Sequence, residues 1–331
     1  MLFSETSGSA AALCALYSGV IAFILILIIS TLLSKAANGN IIDAAYSAFG
    51  AFGKYAVSII VLLYLAVSSL ITLSEFSNLT KLISFPTAPV SFVAVFIAIS
   101  AVFAAFGGLR TVLRLHGIFV PLILAATVLL IASTVYTGDI LNLFPILGTS
   151  TERLFGKGLS GIIMYTDIIL FFLITPKAQD SQQANKKILF NTGIGVLINF
   201  LFILAFNLSI PYSTSAEGHF PAYLLLKEVY YGRFFQRIDA IILLVSNISG
   251  MLYLALNIFL FCNILNQTFN INKRAAVLIY TAAIFFAVMG SRLIPSNLLT
   301  YLVFICGFSA FAIMLLASFF AKRRSATNED K

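Results

Sequence analysis

The sequence predicts an all-α polytopic membrane protein with nine transmembrane helices. Three observations lead there. Hydrophobic residues make up 60% of the 331 positions and charged residues only 10%, whereas a soluble domain averages about 25% charged. Nine apolar runs each approach or exceed the ~20 residues that a helix needs to cross the hydrocarbon of a bilayer. The loops between those runs divide their basic residues unevenly, as the topology of an inserted chain requires. This much apolar surface exceeds what one aqueous core can hide, so the lipid bilayer is its solvent and first partner.

The runs are residues 9–33, 55–73, 89–106, 118–136, 158–176, 188–210, 238–265, 275–294 and 299–321. Their length excludes the ~10-residue strands of a membrane barrel, and in lipid a helix is the remaining way to pair every backbone N–H and C=O. They define one membrane domain over 1–321, followed by a short polar tail, 322–331. Two shorter pieces interrupt the spans. Residues 41–52 follow the polar Asn40 and have Gly50 and Gly53 near their end. Residues 221–231 begin at Pro221 and are followed by Gly232, the asymmetry expected of helix ends. Both are too short to span and read as interfacial or re-entrant helices. The second is either a lid over an external entrance or a plain connector in the interface.

Orientation follows from charge. Thirteen of the twenty Lys and Arg fall in one set of loops, which includes Lys35, Lys54, Arg110, Arg114, Lys273, Arg274 and the C-terminal tail. Seven fall in the other set, among them Lys81, Arg153 and Arg292. The positive-inside rule places the first set, and with it the C-terminus, in the cytoplasm. These loops account for the net charge of +8, so no nucleic-acid partner is implied. Nine spans then leave the N-terminus outside. Residues 1–10 hold one acidic residue and no Lys or Arg, so they lack the positive start of a signal peptide. Such a start sets orientation poorly, and the expectation is that one further helix belongs upstream.

Asp167 is the first candidate for a site. It lies nine residues past Gly158 and nine before Pro176, in an otherwise uncharged run. A carboxylate at mid-membrane depth costs ~2.5–3.5 kcal/mol on insertion scales, so it faces a bundle interior or a polar cavity. Tyr165 and Thr166 stand beside it. The competing reading is a carboxylate that ties two helices together by a hydrogen bond. Ser68 and Thr72 lie one turn apart on the second span, and Ser246, Asn247, Ser249 and Gly250 cluster on the seventh. Small and hydroxyl residues at helical spacing serve close packing more often than ligands. Asn247 strengthens its cluster, because an amide in lipid needs a partner. The candidate ligand-binding residues are therefore Asp167, Thr166, Tyr165, Ser68, Thr72, Ser246, Asn247 and Gly250. Asn199, without such company, reads as a helix–helix hydrogen bond.

No catalytic constellation accompanies them, and no cofactor or metal is expected. His116 and His219 lie in loops far apart in sequence, and no H-E-x-x-H motif is present. Cys14, Cys262 and Cys306 sit in apolar runs without paired spacing and read as small buried hydrophobes. Residues 156–161 match G-x-G-x-x-G, but no strand precedes them, so a dinucleotide site is discarded. Their glycines loosen the helix entry before Asp167.

The run Glu217-Gly218-His219-Phe220-Pro221, continuing to Arg237-Ile238-Asp239, resembles the spore germination permease family. Those proteins are the B subunits of nutrient germinant receptors, within the amino acid–polyamine–organocation superfamily. The family shows a polar loop, a short helix, then Arg-hydrophobic-acidic opening a span. The stretch 104–118, with Gly108, Arg110 and Arg114 before Pro121, is similar to the family's inner loop between its fourth and fifth helices. Residues 141–147 are similar to the outer loop that follows. The similarity runs from about Ser7 to Phe320, and the order of these motifs carries it.

The resemblance implies two five-helix inverted repeats, as in amino-acid transporters, with a site near the midplane built from broken first and sixth helices plus the third and eighth. This chain supplies helices two to ten and lacks the first. The sixth helix is then the span of Asp167, the third that of Ser68 and Thr72, and the eighth that of Ser246, Asn247 and Gly250. Where the family carries Pro and Gly before its acidic residue, Met164 and Thr166 stand here. Ser246 takes the place of a frequent Trp, and the chain has no Trp. The implied function is a spore inner-membrane receptor subunit that binds a small nutrient such as an amino acid and signals with a large membrane subunit and a lipoprotein. The alternative is an amino-acid or proton-coupled transporter of the same fold.

Overall fold

The computed structural model describes residues 8–36, 40–144, 155, 161–174, 181–210 and 238–290, with short helical pieces within 301–320. Every regular element among them is helical. A 3₁₀ turn, Gly8–Ala10, leads into α1, Ala11–Ala36. Then come α2 (Ile41–Ser84), α3 (Val90–Phe106), α4 (Gly108–Thr137), α5 (Ile169–Ile174), α6 (Ser181–Ser209), α7 (Ile238–Phe269) and α8 (Lys273–Gly290). Six of these helices are long and apolar enough to cross a membrane, and two shorter apolar stretches, Val90–Phe106 and Met164–Ile174, accompany them. Large apolar side chains stand in the open, Phe52 and Phe103 foremost, which water would penalise and lipid does not. The piece expected at 221–231 lies outside the described residues, as does part of 299–321.

α2 meets its expected form at the near end and departs from it at the far end. Asn40 and Asp43 open it with a reciprocal cap, each side chain accepting the other's backbone N–H at 3.1 and 3.3 Å. The expected short helix over 41–52 is present to within a few residues, as the first of two helices that meet at a kink. The chain breaks its helix at Gly50 (φ 70°, ψ −154°) and a second, longer helix follows within α2; glycine takes that φ without a Cβ penalty. At the far end the helix passes Leu73 and runs to Ser84. Polar residues ended the apolar run there, but none breaks a helix, and the stop comes just before Pro86. α4 likewise begins at Gly108, ten residues before its apolar run, and holds His116 within the helix. The His116 ring is half-buried, with Nδ1 2.8 Å from the Val112 carbonyl oxygen.

The chain divides into two compact units. The first holds Met1–Gly53, Thr127–Gln236 and Phe311–Lys331, and the second Lys54–Ala126 and Arg237–Ala310. In the first, α1 packs against α6 and against the 3₁₀ segment Gly161–Ile168. Its contact face is made of small residues: Ala11, Ala15, Ser18, Gly19 and Ala22 are all buried. In the second, α3 turns Ala94, Ala98, Ala101 and Ala105 inward, where they meet α7 and α8. α8 answers with Val277, Tyr280, Ile284 and Val288. Small residues let helix backbones approach closely, which is how helices associate where lipid removes the hydrophobic drive.

Gly250 on α7 marks one of the tightest of these approaches. A Cβ there would lie 2.6 Å from the Phe76 ring of α2. Gly250→Ala is expected to lower stability by ~1–3 kcal/mol through overpacking. Gly117→Ala, with open space around its Cβ position, should instead be neutral or gain up to ~1 kcal/mol from helix propensity. Thermal unfolding of the purified protein in detergent compares them, and an unchanged midpoint in Gly250→Ala would contradict this packing.

Candidate functional site

In the first unit, residues Gly161–Ile168 wind as a 3₁₀ helix through eight residues before α5 begins. Such runs rarely exceed three or four residues, and they mark hinges or strain. Eight residues rise ~16 Å in this form against ~12 Å as an α-helix. The hydrogen bonds of a 3₁₀ run have poorer geometry, so its peptide groups are more available to a ligand. Asp167 therefore lies in the irregular half of its predicted span. It is half-buried, whereas Tyr165 and Thr166 are buried, and neither Thr166 nor Asp167 lacks an interaction partner. The Tyr165 hydroxyl accepts from Asn199 Nδ2 of α6 at 3.2 Å, which fulfils the expectation for Asn199. On its other side, a Cβ at Gly19 would come within 2.9 Å of the Tyr165 oxygen. The bare glycine makes room for the phenol.

In the second unit, a polar seam joins α2 to α7. The Ser58 and Thr268 hydroxyls are 3.0 Å apart, and those of Ser68 and Tyr253 2.5 Å apart. Lys54 Nζ donates to the Gln267 carbonyl oxygen at 3.0 Å, and the Thr80 hydroxyl meets Asn247 Oδ1 at 2.7 Å. α8 joins through Tyr280, whose hydroxyl bonds the Leu65 carbonyl oxygen and the Ser69 hydroxyl, both at 3.1 Å. Its ring stacks on Phe261 with centroids 3.7 Å apart. Thr72 donates back along its own helix to the Ser68 carbonyl oxygen at 2.8 Å. Ser246 is half-buried and makes no side-chain hydrogen bond among the described residues. The Thr80–Asn247 pair stands on the wall of a cleft of about 650 Å³ between α2, α3 and α7, lined by Phe85, Phe92, Phe96, Leu244 and Met251 among others.

The eight candidates thus fall into two groups. Tyr165, Thr166 and Asp167 share one segment of the first unit. Ser68, Thr72, Ser246, Asn247 and Gly250 lie on α2 and α7 of the second. Ser68, Thr72 and Gly250 are engaged in helix packing, the role weighed against ligand binding for such residues. Several residues escaped the sequence reading. Thr80, Tyr253 and Tyr280 supply the other halves of polar contacts, and single residues of this kind carry no sequence signal for their partners. Glu75 did carry one. It follows Ser68 by seven residues and Thr72 by three, hence shares their helix face, and it is exposed within α2. The apolar run ends at Leu73, which made Glu75 look like loop.

Long apolar helices joined by polar seams mark the chain as a helical integral membrane protein. The family model for spore permeases, described as spore germination protein, matches residues 4–296. The chain belongs to that family. No curated protein matches it significantly.

The seam has a measurable signature. A double-mutant cycle of Ser68→Ala and Tyr253→Phe is expected to give a coupling of about 0.6 kcal/mol, and no more than ~1.7, as for other hydrogen bonds between membrane helices. Unfolding free energies in mixed micelles measure it. Strictly additive single-variant losses would mean the two hydroxyls do not interact.

Proposed function

We propose that this protein is the membrane subunit of a spore nutrient-germinant receptor, which binds a small nutrient such as an amino acid and signals with a large membrane subunit and a lipoprotein. The family match supports a role in germination. The observation that carries the ligand site is Asp167 within an eight-residue 3₁₀ run, with buried Tyr165 and Thr166 beside it. A half-buried carboxylate attracts an ammonium group, and the weakly paired peptide groups of the run supply further donors and acceptors. In the second unit, Ser68, Thr72 and Gly250 serve packing, Ser246 keeps its hydroxyl available to a ligand, and Asn247 is treated below. The same reading gives an inverted-repeat bundle of nine spans forming one membrane domain, seated in the spore inner membrane with residues 322–331 in the cytoplasm.

Asp167→Asn is expected to shift the nutrient concentration for half-maximal germination upward by about tenfold or more, the scale of a charge-assisted hydrogen bond. Membrane insertion should be equal or better, because a charge in the span is removed. Asp139→Asn is the control, since Asp139 caps an exposed 3₁₀ turn through the Leu141 N–H. A normal dose response in Asp167→Asn would sink the assignment.

The same carboxylate would also suit a proton-coupled transporter. Uptake of labelled amino acids into proteoliposomes separates the two. Germination response without net uptake supports the receptor, and accumulation driven by a proton gradient supports the transporter.

A further inference from the structure

The cleft of the second unit does not fit the nutrient. Among the described residues no charged side chain lines it, and a zwitterion would lose its hydration there with nothing in return. We propose that it binds one membrane glycerolipid, with an acyl chain lying along α3 and an ester carbonyl hydrogen-bonded to Asn247. Four observations converge on this occupant.

First, shape. At about 650 Å³ the cleft is within the usual range of ligand pockets and is mostly apolar with a few polar groups. Its wall on α3 runs from Phe92 to Ser100, ~12 Å along the helix, the form of a groove for a chain. Second, access. Phe96 and Leu244 are each 59% exposed, so the groove opens sideways onto the apolar surface. Third, an unfilled hydrogen bond. The Thr80 hydroxyl stands within reach of both the Phe76 carbonyl oxygen (2.8 Å) and Asn247 Oδ1 (2.7 Å). Asn247 Nδ2 has no partner among the described residues, and Asn247 lines the cleft. A donor left open in an apolar groove calls for an acceptor, and an ester carbonyl is acceptor only.

Fourth, depth. The part of α2 from Lys54 to Ser84 rises ~45 Å, which matches a bilayer with its headgroups. Thr80 lies four residues inside that end, ~6 Å along the axis. That is the boundary where hydrocarbon gives way to the ester and headgroup layer. Phe85 and Phe92 stand at the rim of the cleft, their rings 6.3 Å apart.

The test uses the full chain reconstituted in glycerolipid bilayers that contain a phosphatidylglycerol with a photoactivatable diazirine in its acyl chain. After irradiation, labelled peptides are mapped by mass spectrometry. Label is expected to concentrate on 92–100 and 243–251, above exposed apolar positions elsewhere such as Phe103 and Ile279. Asn247→Leu should lower labelling of the cleft by about fivefold, the worth of one hydrogen bond, and leave Ile279 unchanged. Ser100→Trp, which fills the groove, should abolish cleft labelling. Even labelling of all exposed apolar faces would reduce the lipid to ordinary solvent and overturn the proposal. So would cleft labelling that ignores Asn247→Leu. The wild-type map stands without either variant, so a variant that misfolds leaves the proposal testable.

Discussion

A backbone in hydrocarbon must pair its own N–H and C=O groups, and the rest of this structure depends on that constraint. Helices satisfy it along their length, and every interruption must be covered by protein. α2 interrupts its ladder at Gly50, near the polar end of the helix marked by Asn40 and Asp43, where water and headgroups are at hand. The 3₁₀ run at Gly161–Ile168 lies within an apolar stretch, so it has no such help. There Gly161, Ile162, Tyr165 and Thr166 are all buried in the protein. A segment of poorer hydrogen bonds holding a carboxylate contributes nothing to stability that an ordinary apolar helix would not exceed. An irregularity maintained against that cost is grounds for a functional hypothesis.

Polar side chains obey the same constraint in the second unit. The pairs Ser58–Thr268, Ser68–Tyr253 and Thr80–Asn247 advance along α2 as they retreat along α7. They fix two antiparallel helices in one register. Each bond is modest, on the order of 0.6 kcal/mol. A slip by one turn would break all three at once and leave their groups unpaired in an apolar interior, where each unmade bond costs ~1–3 kcal/mol. Register therefore comes from the spacing of weak contacts, and the strength of any one matters less. Gly250 under the Phe76 ring adds a steric key between Ser68–Tyr253 and Thr80–Asn247.

The class, the helical character and most of the described spans were legible in the sequence, because length and hydropathy are set by the thickness of the bilayer. Helix ends were less so. The apolar run around Ser68 stops at Leu73, but helix formation asks only that no residue break the ladder, and Pro86 is the first that does. Asp167 was legible because a lone charge in an apolar run is costly. Its 3₁₀ backbone was not, since Met164 and Thr166 are ordinary helix residues and the glycines of 156–161 gave only a loose hint. The partners of Ser68, Asn247 and Ser69 were hidden for another reason. A hydroxyl on one helix has no period that points to a hydroxyl nearly two hundred residues away.

Intramembrane polar residues share one difficulty: the same chemistry serves packing and binding. Saturation separates them here. Ser58 and Ser68 meet hydroxyls across the seam, and Thr72 is spent on its own helix. These residues have little left to offer a ligand and can be removed only at the expense of the seam. Among the described residues Asn247 is bonded on one side and open on the other, and it lines a groove with no charged side chain among them. Asp167 differs again, because a carboxylate brings about four acceptor positions and a charge. Unused hydrogen-bonding capacity thus ranks the candidates in an order that hydropathy alone could not. On the proposed reading the charged segment serves a polar ligand, the cleft a lipid and the saturated hydroxyls the fold.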